Sequence, residues 1–137
     1  FLNGSKDLSN IHVVVAISGA FLFGRRVVGE EIGWLDSDYF FYGEDIQFCY
    51  DINKLGYKIY YIPDVSILHY GGVSSGIKKQ SHDISTADME HRRKMQGHRF
   101  DAMKIFFKKN YSDKYPKILN WMVHKGINFL RKKSLKR

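Results

Sequence analysis

Phe40-Phe41-Tyr42-Gly43-Glu44-Asp45-Ile46-Gln47-Phe48-Cys49-Tyr50-Asp51-Ile52-Asn53-Lys54-Leu55-Gly56-Tyr57 begins as an aromatic run, meets a glycine, and then changes its period. Glu44, Gln47, Asp51 and Lys54 recur at spacings of three, four and three, which draws the solvent stripe of a helix. Ile46, Phe48, Cys49, Tyr50, Ile52 and Leu55 fill the remaining surface, so the helix is expected to be buried on most sides. Gly56 supplies its C-terminal stop. Asp45 falls one step off the stripe, about 100° toward the buried side. The macrodipole favours an ionised acid in the first turn. Two roles fit it there. With Glu44 it caps the free N–H groups of the helix, or it is held against a pocket wall as a carboxylate able to take a proton from a hydroxyl.

Upstream, residues 11–23 are rich in Val, Ile and Phe, with small residues at Ser18-Gly19-Ala20. That composition predicts a strand buried on both faces, or two strands meeting at Gly19. A glycine inside a strand marks a bulge or the close approach of a ligand or another backbone. Gly29-Glu30-Glu31-Ile32-Gly33-Trp34-Leu35-Asp36 reads as a short helix or turn leading into a loop. Downstream, residues 58–62 form a strand ended by Pro63, and residues 65–70 a second short one. Gly71-Gly72-Val73-Ser74-Ser75-Gly76 is a loop. His69, placed just before it, can face a cleft and is a candidate metal ligand. The other five histidines show no ligand spacing with it, and a half-buried, hydrogen-bonded histidine fits as well. Helices are expected from about residue 86 to 110 and over residues 115–130, with Pro116 in the first turn of the second.

At 137 residues and 44% hydrophobic content the chain suits one modest core. The opening residues carry no secretory signal and no initiator Met, so an excised piece of a longer protein is expected. The longest apolar stretch, residues 13–23, is broken by Ser18 and Gly19 and is too short to span a bilayer. Cys49 is the single cysteine, which excludes an internal disulfide and fits a reducing, cytoplasmic setting.

The net charge of +8 is not evenly spread. Residues 1–76 carry a balance of −4, residues 77–113 one of +4, and residues 114–137 hold eight basic residues and no acid. The whole excess thus sits in the tail, which argues against nucleic acid as the partner of the body of the chain. Leu119, Met122, Val123, Ile127 and Leu130 form an apolar face there, flanked by Trp121 and Phe129. Such a helix suits an anionic membrane surface at the inner face of the cell membrane. An amphipathic helix packed on the domain, with a loose basic end, fits the same pattern.

Taken in order, these segments resemble family-2 glycosyltransferases, particularly the rhamnosyltransferase-like members that build bacterial surface polysaccharides. The resemblance rests on Gly19-Ala20-Phe21-Leu22-Phe23, Arg25-Arg26, Gly33-Trp34-Leu35-Asp36, Phe40-Phe41-Tyr42-Gly43-Glu44-Asp45, Leu55-Gly56-Tyr57, Ile62-Pro63 and His69-Tyr70-Gly71-Gly72-Val73-Ser74. It runs continuously over about residues 16–76.

The resemblance implies an α/β fold: the C-terminal, acceptor-side part of a GT-A (Rossmann-like) catalytic domain over residues 1–84, followed by a helical, basic extension over residues 85–137. It implies an inverting transfer of a hexosyl or deoxyhexosyl unit from a nucleotide-sugar donor to a polysaccharide or lipid-linked glycan. Asp45 would be the general base, with Glu44 beside it. Gly19, Ala20, Trp34 and Asp36 would stand on the substrate side, and His69 would join an Asp-x-Asp motif in holding Mg2+ or Mn2+. The donor-binding half and its Asp-x-Asp site are not found in the sequence. Asp36-Ser37-Asp38 has that spelling but sits in the acceptor-side turn, so these residues alone are expected to be inactive. Open sheet edges leave room for a homo-oligomer or strand exchange. From another functional class, a non-catalytic docking module with a basic tail, recruited to membrane or nucleic acid, fits the charge distribution.

Overall fold

The structure, a computed structural model, describes residues 8–77 and 85–135. The boundary expected at residue 84, the opening residues 1–6, and the last two basic residues, Lys136 and Arg137, lie outside the described residues. The described chain combines helices with a small sheet and divides into two compact units, each taken by itself.

The first unit comprises residues up to 37 together with residues 44–69. Its elements are β1 (His12–Val14), α1 (Arg26–Ile32), α2 (Glu44–Lys54) and β2 (Ile59–Tyr61), with a 3-10 turn over Gly19–Phe21. β1 and β2 pair antiparallel, with Val14 opposite Ile59 and His12 opposite Tyr61. α2 lies where the 3-4-3 spacing puts it, and its core contact with the sheet is Val14, Cys49 and Ile59, ringed by Ala16, Ile17, Leu22, Ile52 and Tyr61. Each fully buried aliphatic side chain of this kind contributes about 1.5–3 kcal/mol. Gly56 is left-handed at φ 85°, which stops α2 as its lack of a Cβ allows.

Three expectations are corrected in this unit. Residues 11–23 are neither one strand buried on both faces nor two strands meeting at Gly19: the ladder ends at Val14, Gly19–Phe21 is a 3-10 turn, and Val15 and Phe23 are largely exposed. Beyond Val14 the backbone turns its polar groups to side chains of α2, so the hydrogen bonds that would extend a strand are spent on the helix. Residues 65–70 form no strand: among the described residues the sheet has two strands, β1 and β2. The stripe on α2 is not uniformly solvated either. Gln47 is buried, and its amide donates to the Asp51 carboxylate at 2.9 Å, which meets the requirement of a buried polar group. Ile46 and Leu55 face solvent instead.

The second unit joins residues 38–43 to residues from Tyr70 onward. Its body is a helical hairpin of α3 (Met89–Asn110) and α4 (Lys117–Leu135). Asp88 caps α3, its carboxylate accepting the His91 N–H at 2.7 Å, and Pro116 precedes α4. Met95, Phe100, Ala102 and Ile127 are buried along the hairpin. Gly97 leaves room for the Arg131 guanidinium, which pairs with Asp101 at 2.7 Å, and Gln96 donates to Ser134. Asn120 Nδ2 donates to the Ser112 carbonyl at 2.8 Å and fixes the turn between the helices. The aromatic run is part of this unit: Tyr39 is buried, Phe40 packs on His98, and Lys109 pairs with Asp38 at 2.6 Å.

Candidate active site

Two consecutive residues with left-handed backbone, Tyr42 at φ 69° and Gly43 at φ 91°, lead directly into α2. Positive φ is costly for a bulky residue such as tyrosine, and outliers of this kind gather at functional sites. Gly43 has a second reason to be glycine. A Cβ there would stand 3.0 Å from the Tyr39 ring and 3.1 Å from Ala102 Cβ. The first turn of the helix that follows is acidic, with Glu44 and Asp45 both half-buried.

The Asp45 carboxylate is held on both oxygens. Oδ2 accepts the backbone N–H of Gly19 at 3.0 Å, and Oδ1 accepts the N–H of Ile46 at 2.9 Å. Asp45 thus meets one N–H in the first turn of its own helix and one from the segment after β1. Each carboxylate oxygen has a further lone pair, so Asp45 keeps capacity for a substrate hydroxyl. Gly19 is close enough that a Cβ on it would lie 3.3 Å from Asp45 Cβ, and Ser18 fixes the adjacent turn by accepting the Ala20 N–H at 3.3 Å.

The grip on Asp45 is the last of three evenly spaced ties. Asn53 Nδ2 donates to the Val15 carbonyl at 2.9 Å and to Cys49 O at 2.6 Å; the Cys49 thiol donates weakly to the Ile17 carbonyl at 3.8 Å; Gly19 donates to Asp45. Four residues of helix rise about 6.0 Å. Two residues of extended chain advance about 6.6 Å. The two repeats nearly match, so residues 53, 49 and 45 of α2 meet residues 15, 17 and 19 of the segment after β1, one pair at a time. Burial pushes the Cys49 thiol up from its ordinary pKa, and the neighbouring negative charge of Asp45 adds to the rise. Cys49 is thus a packed thiol rather than a reactive one. The sequence reading gave Ser18, Cys49 and Asn53 no part in holding Asp45. The four-residue spacing of 45, 49 and 53 was the available signal.

Beside Asp45, Glu44 has one carboxylate oxygen, Oε2, that is buried and without a hydrogen bond among the described residues. A buried acceptor left unpaired costs about 1–3 kcal/mol, which a hydroxyl or water donating to it would remove.

The other sequence-predicted residues are placed by different elements. The Trp34 indole packs flat on α1: a Cβ at Gly29 would lie 2.5 Å from its ring. Trp34 itself has φ 64°, following Gly33 at φ 87° in a turn closed by N–H bonds to the Gly29 carbonyl. Its ring placement is fixed by packing. Asp36 is half-buried two residues later. His69 is exposed, not half-buried, in the run-out beyond β2. Among the described residues no group of three His, Cys, Asp or Glu side chains is placed to hold a metal ion. Among the described residues, His69 is therefore not part of a ready Mg2+ or Mn2+ site. No helix of the described residues is long and apolar enough to cross a membrane.

Comparison with known proteins gives the arrangement its context. Two curated relatives are the N-acetylglucosaminyl-diphospho-decaprenol L-rhamnosyltransferases of Mycobacterium tuberculosis strains CDC 1551 / Oshkosh and ATCC 25618 / H37Rv. Each is 33% identical over 66 residues, which is 48% of this chain and 22% of the relative. The match thus spans a little over a fifth of the relatives' length. No solved structure matches the chain. The family model described as glycosyl transferase family group 2 matches residues 4–131. With nearly its whole length matched, the chain belongs to glycosyltransferase family group 2.

Proposed function

We propose that the protein carrying this chain moves a sugar from a nucleotide-sugar donor to a polysaccharide or lipid-linked glycan, with inversion at the anomeric carbon, and that Asp45 is its general base. An acceptor hydroxyl lies against Asp45 and Glu44. Its proton passes to the Asp45 carboxylate as the oxygen bonds to the anomeric carbon, and the nucleoside diphosphate leaves with the electron pair of the broken C–O bond. Preset geometry is what the protein supplies in such a step, and proton removal by a positioned base contributes about 10²–10⁴-fold. The observation that carries this reading is the two-sided hold on the Asp45 carboxylate, by Gly19 and Ile46, beside the unpaired oxygen of Glu44.

The sheet and α2 are read as the acceptor-side part of a GT-A fold. Donor and metal binding are assigned to the Asp-x-Asp part of the family's domain, for which the sequence offers only the misplaced Asp36-Ser37-Asp38. These 137 residues alone are accordingly expected to turn over no sugar. By analogy with the two relatives, a deoxyhexose such as L-rhamnose is the first donor sugar to test, and a diphospho-polyprenol-linked amino sugar the first acceptor. Incubating the full-length protein with such an acceptor and a panel of nucleotide sugars tests the reading. Extension of the lipid-linked glycan by one residue supports it; hydrolysis of donor with no glycan extended, or no reaction with any donor, contradicts it.

A further inference from the structure

We propose that the outward face of α4 is a docking surface for an anionic lipid bilayer. The face is not the one that the apolar residues of the tail suggest by themselves. Ile127, at one edge of that expected face, is buried in the hairpin at 6% exposure. The same side of α4 is fastened to the rest of its unit by Asn120, which donates to the Ser112 carbonyl, and by Arg131, which pairs with Asp101. His124 adds an edge-on contact with Phe107. That side is taken.

The opposite side is free and it is apolar. Ile118, Trp121, Met122 and Phe129 are 72%, 60%, 56% and 67% exposed. At 100° per residue these four lie within about 60° of one line along the helix. Lys125, Lys132 and Lys133 fall in the same sector, and Lys125 stands 5.4 Å over the Trp121 ring. Large exposed apolar patches on a soluble surface mark interaction sites. This one is interleaved with lysines, and the sequence from residue 114 to the end holds no acidic residue to offset them.

Charge and shape together select the occupant. A partner must accept bulky apolar side chains and positive charge from a single narrow stripe. Nucleic acid meets the lysines but leaves Ile118, Met122 and Phe129 in water. A second copy of the same face meets the apolar residues but sets lysine against lysine. The boundary between anionic headgroups and acyl chains accommodates both, with indole and phenyl rings at the interface and lysine stems reaching up to phosphate. α4 is about 28 Å long, enough for a stable in-plane contact and unsuited by its charges to crossing.

Flotation of the purified full-length protein with vesicles tests this, and because it reads no sugar transfer it can fail independently of the catalytic reading. The protein is expected to float with phosphatidylcholine vesicles containing phosphatidylglycerol, not with phosphatidylcholine alone, and to be released by salt. Each basic residue near the surface is worth roughly fivefold in binding, so Lys125→Glu, Lys132→Glu and Lys133→Glu together should weaken it at least about a hundredfold. Trp121→Ser with Phe129→Ser, which leaves the charge intact, should weaken it about tenfold. Both sets alter exposed side chains, and an unchanged circular dichroism spectrum verifies that the helices remain. Equal flotation with both vesicle types would overturn the proposal, as would variants that float like the unaltered protein. Retention by nucleic acid, or a concentration-dependent dimer, with no flotation would overturn it too.

Discussion

Replacing Gly19 by alanine would place a methyl group 3.3 Å from Asp45 Cβ and 3.8 Å from its Oδ2. Such a contact is tight by a few tenths of an ångström, and the Asp45 side chain is the part that can yield. Gly19 has no left-handed φ, so alanine suits its backbone. The stability terms then oppose each other. Partial loss of the 3.0 Å bond from the Gly19 N–H to a carboxylate costs about 1 kcal/mol, a fraction of the roughly 1.5–3 kcal/mol for a full one. Stiffening the unfolded chain returns about 0.4–1 kcal/mol. The melting temperature of Gly19→Ala should therefore move by no more than a few degrees. Activity has no such compensation. Misplacement by about 1 Å costs on the order of a hundredfold in a positioned reaction, so a shift of a few tenths should cost on the order of tenfold. Thermal unfolding and initial-rate transfer assays on the same full-length preparation would separate the two. Transfer unchanged by Gly19→Ala, or a rate loss matched by unfolding, would refute the argument that this glycine positions the carboxylate.

Asn53→Ala removes the donor to the Val15 and Cys49 carbonyls at the far end of the same row, and should lower stability by about 1–2 kcal/mol in urea titrations. Gly29→Ala drives a methyl into the Trp34 ring and should cost about 1–3 kcal/mol; with Trp34→Ala already in place it should cost much less, a coupling that a double-mutant cycle measures. Cys49 has its folded-state pKa above its unfolded one, so the folded protein holds the thiol proton more tightly. That contribution is whole below the unfolded thiol pKa and is lost as pH rises toward the folded one. The urea midpoint should fall on this alkaline side, and the fall should be shallower in Cys49→Ala.

Much of the helical architecture was legible because helices announce themselves locally. The 3-4-3 spacing from Glu44 and the Gly56 stop locate α2, and Pro116 and the long apolar repeat locate α4. The sheet was harder to read. Hydrophobicity in residues 11–23 suggests strand, but strand length depends on a partner, and the backbone past Val14 is bonded to α2 side chains 26 to 38 residues away. Gln47 was read as solvated because its polarity gives no hint that Asp51, one turn on, satisfies it. The tail was ambiguous for a related reason. Both sides of α4 carry apolar residues, and only the anchoring of Asn120, Ile127 and Arg131 tells which side is occupied. At the candidate site the acidic pair could be picked out from sequence, whereas the three ties that fix Asp45 needed the meeting of two distant segments.

The most direct test of the proposed base is Asp45→Asn in the full-length protein, with transfer rate and nucleotide-sugar affinity measured side by side. Asparagine keeps the shape of the side chain and one acceptor for the Gly19 N–H, but it cannot take a proton. If Asp45 is the base, kcat falls by about 10²–10⁴ with donor affinity unchanged. Transfer at the original rate would contradict it, and so would loss of donor binding in step with activity.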